Sequence, residues 1–397
     1  MADRAERLVP SAFLLAYALA WCGGAIAYVP FLTILLPVRV ELLAGHDQSV
    51  EWLAYLAFAG AIAASLGHIG FGYLSDITRR RRPWILLGLA LSSLLLVAVS
   101  RAASLIELLL AIVLWQLALN MMLAPLAALA GDRVPNSQKG LLGGLMAFAP
   151  AFGALSGALV TISGLASADM RLVVVAAMVC LCVLPVLVAD ARQGPLVLEP
   201  ARDAEPAQPA FLANASVRRM WFARLAVQVA EAALFAYLYL WFRSIDPAMS
   251  DNRTAQVFSS VLLVSAPLAL AVGHWADRHR RPLLPLAIAA ALSSLGLVAM
   301  AMAKGLVVAI GAYALFGLAS SIFLALHSAQ TLRVLPRPDR RGRDLGLFNL
   351  TNTMPSLVMP WLVLALVPQF GFAGMFLLLA VLALGAGLML ARMPQQI

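Results

Sequence analysis

Long apolar runs separated by short polar stretches make up nearly the whole chain. A membrane-spanning helix needs about 20 mostly apolar residues to cross a hydrocarbon core of about 30 Å. Twelve runs reach about that length, and they lie at 11–37, 51–76, 83–101, 104–131, 139–165, 170–190, 219–242, 254–276, 282–303, 305–331, 344–368 and 372–391. Runs of this length are typical of helices rather than of the alternating strands that form membrane barrels. The pattern therefore predicts an all-α membrane protein with twelve transmembrane helices.

The one long polar interruption lies at 191–216 and is rich in Pro, Ala and Glu. Such a composition is typical of a linker, because it has too little apolar content to form a domain. The sequence thus predicts an N-terminal six-helix bundle at 1–190 and a C-terminal six-helix bundle at 217–397, joined by a cytoplasmic linker.

Composition agrees with a membrane protein and charge predicts its orientation. The chain is 62% hydrophobic and 12% charged, with a mean hydropathy of +0.91. This is more apolar surface than the core of a soluble protein could bury. Its net charge of +9 comes from short arginine clusters between apolar runs, so it favours a membrane surface and not nucleic acid. A cytoplasmic N-terminus places 22 of the 28 Lys and Arg residues on the cytoplasmic side and 6 on the other. Both termini are therefore expected to be cytoplasmic.

One short motif occurs twice. Residues 72–83 read GYLSDITRRRRP, and residues 273–282 read GHWADRHRRP between two other apolar runs. The spacing of about half the chain indicates a parallel duplication of a six-helix unit.

These features resemble those of the major facilitator superfamily, whose members are twelve-helix carriers with the signature G-x-L-[AS]-D-R-x-G-R-[RK] between helices two and three. Its glycine, apolar, small and acidic residues are supplied here by Gly72, Leu74, Ser75 and Asp76, and its basic end by the arginine run that contains Arg80 and Arg82, whereas Ile77 and Arg79 replace its first Arg and its Gly. The resemblance implies that a carboxylate held by arginines latches the bundles in one state. The gating residues implied in this way are Asp76, Arg80, Arg82, Asp277 and Arg278.

Within the superfamily, two stretches resemble glycoside/cation symporters and sucrose carriers. They are RRPWIL at 81–86 and DLGLFNLTNTMP at 344–355, which resembles the start of their eleventh helix and contains Asn349 and Asn352. This resemblance favours a sugar or glycoside as substrate. Glycines in span five keep open a proton-coupled exporter of lipophilic compounds or drugs, and a non-transporting assembly or regulatory factor on a transporter scaffold is a further alternative.

Glu231 is the only carboxylate well inside a predicted span. It lies about 12 residues, and so about 18 Å, along helix seven, close to the bilayer centre. Arg224 and Gln228 share its helix face, at spacings of seven and three residues. Because an ionisable side chain is costly in the membrane, Glu231 with Arg224 is the candidate proton-coupling pair. His68 and His327 are the other candidates, and each also fits a hydrogen-bonded core histidine.

In the superfamily, helices one, four, seven and ten line the central cavity. Carried onto this chain, with the two asparagines of helix eleven, they give the candidate substrate-binding residues Tyr17, Trp21, Tyr28, Trp115, Gln116, Asn120, Gln228, Tyr313, Ser320, Asn349 and Asn352. Aromatic and amide groups suit a partly polar organic solute.

The sequence contains no motif for nucleotide binding, metal binding or enzymatic chemistry. There is no glycine loop for a bound nucleotide and no His/Cys cluster for a metal, and Cys22, Cys180 and Cys182 all fall inside apolar runs. We therefore expect a transporter rather than an enzyme, without a cofactor or metal. Its expected partners are a small-molecule substrate, protons and the lipid bilayer, and the expected form is a monomer in a bacterial inner membrane.

Overall fold

The computed structural model of the chain describes residues 8–146, 148–192, 215–279, 281–334 and 341–393. These residues form helices joined by short turns. The helices of the first half are α1 Ser11–Pro30, α2 Leu36–Ile77, α3 Arg81–Ala98, α4 Leu105–Arg133, α5 Asn136–Met146, α6 Ala149–Val160 and α7 Ala168–Ala191. Those of the second half are α8 Ala215–Ile245, α9 Asp251–Arg278, α10 Leu284–Met302, α11 Leu306–Val334 and α12 Arg341–Ala391.

Polar residues fix where the apolar helices begin. Before α4, the Ser104 hydroxyl accepts a hydrogen bond from the Glu107 N–H at 3.3 Å, and the Glu107 carboxylate accepts one from the Ala103 N–H at 2.8 Å. Before α7, the Ser167 hydroxyl accepts from the Met170 N–H at 3.4 Å. Such caps satisfy amide groups that the first turn of a helix leaves without partners.

Glycines break two of the long helices. Gly45 in α2 has φ 72° and Gly371 in α12 has φ 64°, a region that favours glycine because it has no Cβ. Between α1 and α2, residues Phe31–Leu35 form a π-helical turn directly after Pro30. These breaks bend the chain where the sequence predicts the end of span one, the turn before span two and the start of span twelve.

Eleven stretches of the described residues are long and apolar enough to cross a membrane. The last, Met354–Ala391, is 38 residues long and contains the break at Gly371. The chain is therefore an all-helical, multi-pass membrane protein. A separate twelfth crossing, predicted to begin at residue 372, stays a prediction.

Contacts divide the chain into two units. Unit 1 comprises Met1–Leu36 and Ala59–Ala204, and unit 2 comprises Pro37–Phe58 and Glu205–Ile397. The segment Pro37–Phe58 thus groups with the second half of the chain, although the predicted N-terminal bundle includes it. Most of the predicted linker, residues 193–214, lies outside the described residues, so the predicted division at 191–216 stays a prediction.

Each unit has its own close helix packing. In unit 1, α1 packs on α6 and α7, and α3 packs on α4 and α7; in unit 2, α12 packs on α8 and α10, and α11 packs on α8, α9 and α10. Gly88 of α3 lies against the backbone of Met122 in α4, and a Cβ on Gly296 of α10 would lie 2.6 Å from the Phe316 nitrogen in α11. A glycine at each contact lets the two helix backbones approach closely.

Candidate functional site

At the turn between α2 and α3, one arginine contacts two carboxylates. Arg81, the first residue of α3, lies 2.5 Å from Asp76 through Nη1 and donates through Nε to Asp132 at 2.9 Å. The same Nη1 donates to the Ser75 hydroxyl at 2.6 Å. The Arg81 side chain is 5% exposed, so its charge is buried and compensated by both acids. Asp76 itself is 61% exposed and reaches this buried group from the surface.

The backbone of this turn selects which arginine is buried. Arg79 has φ 51°, the left-handed region, and occupies the position where the family signature has Gly. Arg80 follows in an extended conformation, with φ −132° and ψ 105°, and α3 begins at Arg81. A left-handed residue with a side chain costs about 1–2 kcal/mol, which a glycine at residue 79 would avoid.

A second cluster joins the ends of α3, α4 and α7. Asp190 accepts a hydrogen bond from Arg133 Nε through Oδ1 at 2.7 Å and another from Arg82 Nε through Oδ2. Arg82 also donates to the Asp190 backbone carbonyl. The side chain of Asp190 is 1% exposed and that of Arg133 is 9% exposed, so both are buried, whereas Arg82 is 35% exposed. One carboxylate thus ties three helices together.

These two clusters contain only part of the predicted gating set. Asp76 and Arg82 lie in them, whereas Arg80 makes no ion pair with the residues that the structure describes. In the second half, Arg278 is exposed at the end of α9, and the side chain of Asp277 lies outside the described residues. The sequence analysis missed the roles of Arg81, Asp132, Arg133 and Asp190. Acidic residues at the predicted cytoplasmic ends of spans four and six were the available signal.

In unit 1, polar groups of α2 and α4 meet in a small cluster. The Asn120 amide nitrogen donates to the Gln116 backbone carbonyl at 2.9 Å, and the Asn120 Oδ1 lies 3.2 Å from His68 Nδ1. Gln116 and Asn120 are 8% and 7% exposed, whereas His68 is exposed. Three of the predicted residues are therefore brought together, with His68 at the open edge of the cluster.

The aromatic candidates of unit 1 are mainly packed in its core. Tyr17 stacks on Trp21 with ring centroids 6.5 Å apart and donates its hydroxyl to the Leu126 carbonyl at 2.9 Å. Trp115 is fully buried against the edge of Phe31, and its indole N–H has no hydrogen-bond partner among the described residues. Tyr28 lies half-buried on α1. Tyr17 thus has a structural hydrogen bond in this state.

In unit 2, Glu231 of α8 lines a small, partly open pocket. Its Oε1 accepts a hydrogen bond of 2.6 Å from the buried Ser320 hydroxyl of α11. The pocket walls come from α8, α9 and α11 and comprise Glu231, Leu234, Phe235, Phe258, Val261, Leu262, Tyr313, Phe316, Gly317 and Ser321. A Cβ on Gly317 would lie 2.7 Å from Val261 Cγ1, so glycine allows α9 and α11 to meet here. The predicted residues Glu231, Tyr313 and Ser320 are thus brought together.

Arg224 lies about two turns before Glu231 on α8, and it contacts His327 of α11. Arg224 Nη1 donates to the Ser328 hydroxyl at 2.9 Å and lies 3.4 Å from His327 Nδ1, while His327 Nε2 lies 2.9 Å from the Met220 carbonyl. A guanidinium only donates and a carbonyl only accepts. Nε2 of His327 therefore carries the proton and Nδ1 accepts from Arg224, which describes a neutral histidine.

Asn349 and Asn352, the two predicted substrate-binding residues of α12, have side chains outside the described residues. Gln228, the remaining candidate on α8, has a buried Oε1 with no hydrogen-bond partner in the described part of the chain.

A family model described as Major Facilitator Superfamily matches residues 13–326 and, in a second match, residues 220–395. The second match falls on the second half of the chain. Among solved structures, the chain is similar to the crystal structure of a point mutant of the nucleoside transporter NupG. The two are 12% identical, the alignment covers 96% of this chain and 99% of that one, and the TM-score is 0.70. No curated protein matches the chain.

Proposed function

Because the chain belongs to the Major Facilitator Superfamily, we propose that it is a secondary active transporter, which moves a small organic solute by alternating access and couples that movement to protons. The observation that carries the coupling is the hydrogen bond between Glu231 and Ser320 at the edge of an apolar pocket. Family membership indicates a transporter and not an enzyme.

Glu231 is suited to exchange a proton between two states. Removing water from around a carboxyl group favours its neutral form, and opening the site to water favours the anion. The Ser320 hydroxyl donates to the carboxylate form at 2.6 Å, and it can rotate to accept from the protonated form. Glu231 therefore has a partner in both protonation states.

The histidines are weaker candidates for this step. A second proton on His327 would place an N–H against the Arg224 guanidinium and add a positive charge beside it. His327 is therefore assigned to a structural hydrogen bond. His68, exposed beside Asn120, stays the second candidate for proton transfer.

The transport cycle is proposed to be a rocking of residues 1–190 against 217–397, with twelve crossings, both termini cytoplasmic, and a monomer in a bacterial inner membrane. The arginine clusters at the ends of α3, α4 and α7 would then lie on the cytoplasmic side and stabilise one state. Contacts between charged side chains at helix ends can form in one state and break in the other.

Two classes of solute have specific support. The amide cluster of Gln116 and Asn120 offers hydrogen bonds to the hydroxyl groups of a sugar or glycoside; a nucleoside, which the similar structure's name mentions, is also a glycoside. The aromatic pocket at Glu231 favours the second class, a lipophilic compound that is exported in exchange for protons.

The proposed orientation predicts the result of cysteine labelling. In a chain whose native cysteines are replaced, a cysteine at residue 204 is expected to react only with reagents on the cytoplasmic side, and Asn252→Cys only with reagents outside. The reason is the unequal distribution of Lys and Arg between the two sides. Labelling of residue 204 from outside intact cells would contradict the orientation.

If Asp76 acts as a gating residue, Asp76→Asn is expected to lower transport much more than stability. This change removes the exposed carboxylate from Arg81 but leaves Asp132 and Ser75 in place, so transport should fall at least about tenfold while the unfolding temperature changes little. Solute uptake and thermal unfolding of the same preparation measure the two effects. Unchanged transport would remove Asp76 from the gating mechanism.

The carrier function is tested in sealed vesicles. A thermal-shift screen of the purified chain against sugars, drugs and amphiphiles identifies a solute, since a ligand that binds the folded state raises its apparent stability. Vesicles containing the chain should then accumulate that solute when a proton gradient is imposed. Binding without movement would favour the non-transporting scaffold, and a chemically altered solute would favour an enzyme.

A further inference from the structure

We propose that the pocket around Glu231 binds a protonated primary or secondary amine with an apolar or aromatic body, and that this cation replaces the proton on Glu231. The inference rests on the proposed carrier function and names its substrate class. It selects the exported lipophilic compound over the sugar, and proton exchange over proton symport.

The charge of the pocket favours a cation. Of the described residues that line it, Glu231 is the only acid and none is basic. The carboxylate accepts one hydrogen bond, from Ser320, and makes no ion pair within the described part of the chain. The nearest arginine on its helix face, Arg224, is directed to His327 and Ser328. A carboxylate in an apolar site needs a proton or a positive partner, and a cationic solute supplies the partner.

The walls of the pocket favour an organic cation. Four aromatic rings line it, those of Phe235, Phe258, Tyr313 and Phe316. Phe235 and Phe258 meet edge to face, with ring centroids 6.4 Å apart and an angle of 72° between the rings. Aromatic faces attract ammonium groups, more strongly where water is excluded, and they also pack against an apolar body. A solute covered with hydroxyl groups would find few polar partners among these walls.

Gln228 favours an amine that carries N–H groups. It lies three residues before Glu231, on the same face of α8, and its buried Oε1 has no donor among the described residues. A buried acceptor without a donor is unfavourable, so a donor supplied by the solute stabilises the complex. Gln228 lies next to the lining residues and not among them, and in this proposal a protonated primary or secondary amine held by Glu231 also donates to Gln228. A quaternary ammonium ion has no N–H to donate.

The exchange of charge is balanced. When the ammonium ion enters, the proton of Glu231 leaves to the water on the open side, and the carboxylate pairs with the cation. When the amine leaves on the other side, Glu231 takes up a proton from that side. About one proton therefore moves for each amine, in the opposite direction.

The test uses the purified full-length chain and three probes of similar shape: 2-phenylethylamine, its N,N,N-trimethyl derivative and 2-phenylethanol. Binding is measured by calorimetry in buffers with different ionisation enthalpies, which also counts released protons. The amine is expected to bind at least about tenfold more tightly than the alcohol, with release of about one proton, and the trimethyl derivative is expected to lie between them.

Two variants separate the two contacts. Glu231→Gln should abolish both proton release and the preference for the amine over the alcohol. Gln228→Met should reduce the preference for the amine over its trimethyl derivative and keep proton release. Glu51→Gln and Gln256→Met make the same chemical changes at exposed positions and should bind all three probes as the unchanged chain does.

Three results would overturn the inference: equal binding of the amine and the alcohol, amine binding without proton release, or an amine preference that survives in Glu231→Gln. Binding of none of the probes would also overturn it. The carrier function is judged separately, because vesicles that accumulate any other solute under a proton gradient support the carrier and reject only the amine class.

Discussion

Asp190→Asn is expected to lower the free energy of unfolding of the chain by about 3–5 kcal/mol, the cost of breaking a buried ion pair by removing one partner. Asp190 accepts hydrogen bonds from both Arg82 and Arg133, and its side chain is 1% exposed. An asparagine at this position has one acceptor oxygen and no charge, so the buried Arg133 and the partly exposed Arg82 both lose their charged partner at residue 190. Unfolding in mixed micelles of increasing denaturing detergent measures the change.

The matched control is Asp76→Asn, the same chemical change at a carboxylate that is 61% exposed. Its pair with Arg81 is expected to contribute about 1 kcal/mol or less, because water screens an exposed pair and Arg81 keeps Asp132. If Asp190→Asn and Asp76→Asn lower stability equally, the cluster at Asp190 does not hold α3, α4 and α7 together.

Glu231→Gln is expected to abolish accumulation driven by a pH gradient. Glutamine keeps the size of the side chain and still accepts from Ser320, but it cannot take up or release a proton. In vesicles, the variant should lose at least about 100-fold in accumulation. If the solute is neutral, exchange of labelled for unlabelled solute at equal concentrations should continue. If the solute is the amine proposed above, exchange should weaken as well, because the carboxylate is then also its binding partner.

Ser320→Ala provides a second measurement of the same contact. It removes the hydroxyl that donates to Glu231 but leaves the carboxyl group able to titrate, so we expect reduced accumulation with its pH dependence shifted rather than lost. Full accumulation by Glu231→Gln would show that another residue carries the coupled proton, and His68 would be the next residue to replace.

Glu231 could be chosen as a candidate from the sequence because a lone carboxylate inside a long apolar run stands out without any structure. The sequence analysis also named Ser320 and Tyr313 as cavity residues, but it could not pair Ser320 with Glu231. Ser320 lies 89 residues away, and nothing in the apolar run of α11 distinguishes it from Ser321. Which serine faces α8 depends on the rotation of α11 against α8, which no local pattern reports.

The arginine motif shows a similar limit. Four consecutive arginines made a membrane-surface turn evident, but the sequence analysis named Arg80 and Arg82 as the gating arginines. The structure buries Arg81, because Arg79 is left-handed and Arg80 is extended, so that α3 begins with Arg81 facing Asp132. The contact between Arg82 and Asp190 joins residues 108 positions apart, and it follows from how α3 packs on α7.

The helical fold followed more directly from the sequence, because the length of an apolar run determines whether a helix can cross the bilayer. The breaks at Gly45 in α2 and Gly371 in α12 lie between stretches that the sequence treats as separate runs. The contacts that group Pro37–Phe58 with unit 2 cannot be derived from hydropathy, since hydropathy reports depth in a membrane and not which helices pack together.

The most direct test of the central claim, that solute movement is coupled to a proton on Glu231, is a measurement of proton flux caused by a solute gradient alone. Vesicles with a pH-sensitive dye inside and equal pH on both sides receive the identified solute, without any imposed proton gradient. The unchanged chain is expected to shift the internal pH in a solute-dependent way, and Glu231→Gln is expected to give no shift. Solute entry without a pH change in the unchanged chain, or an equal pH change in Glu231→Gln, would contradict the account.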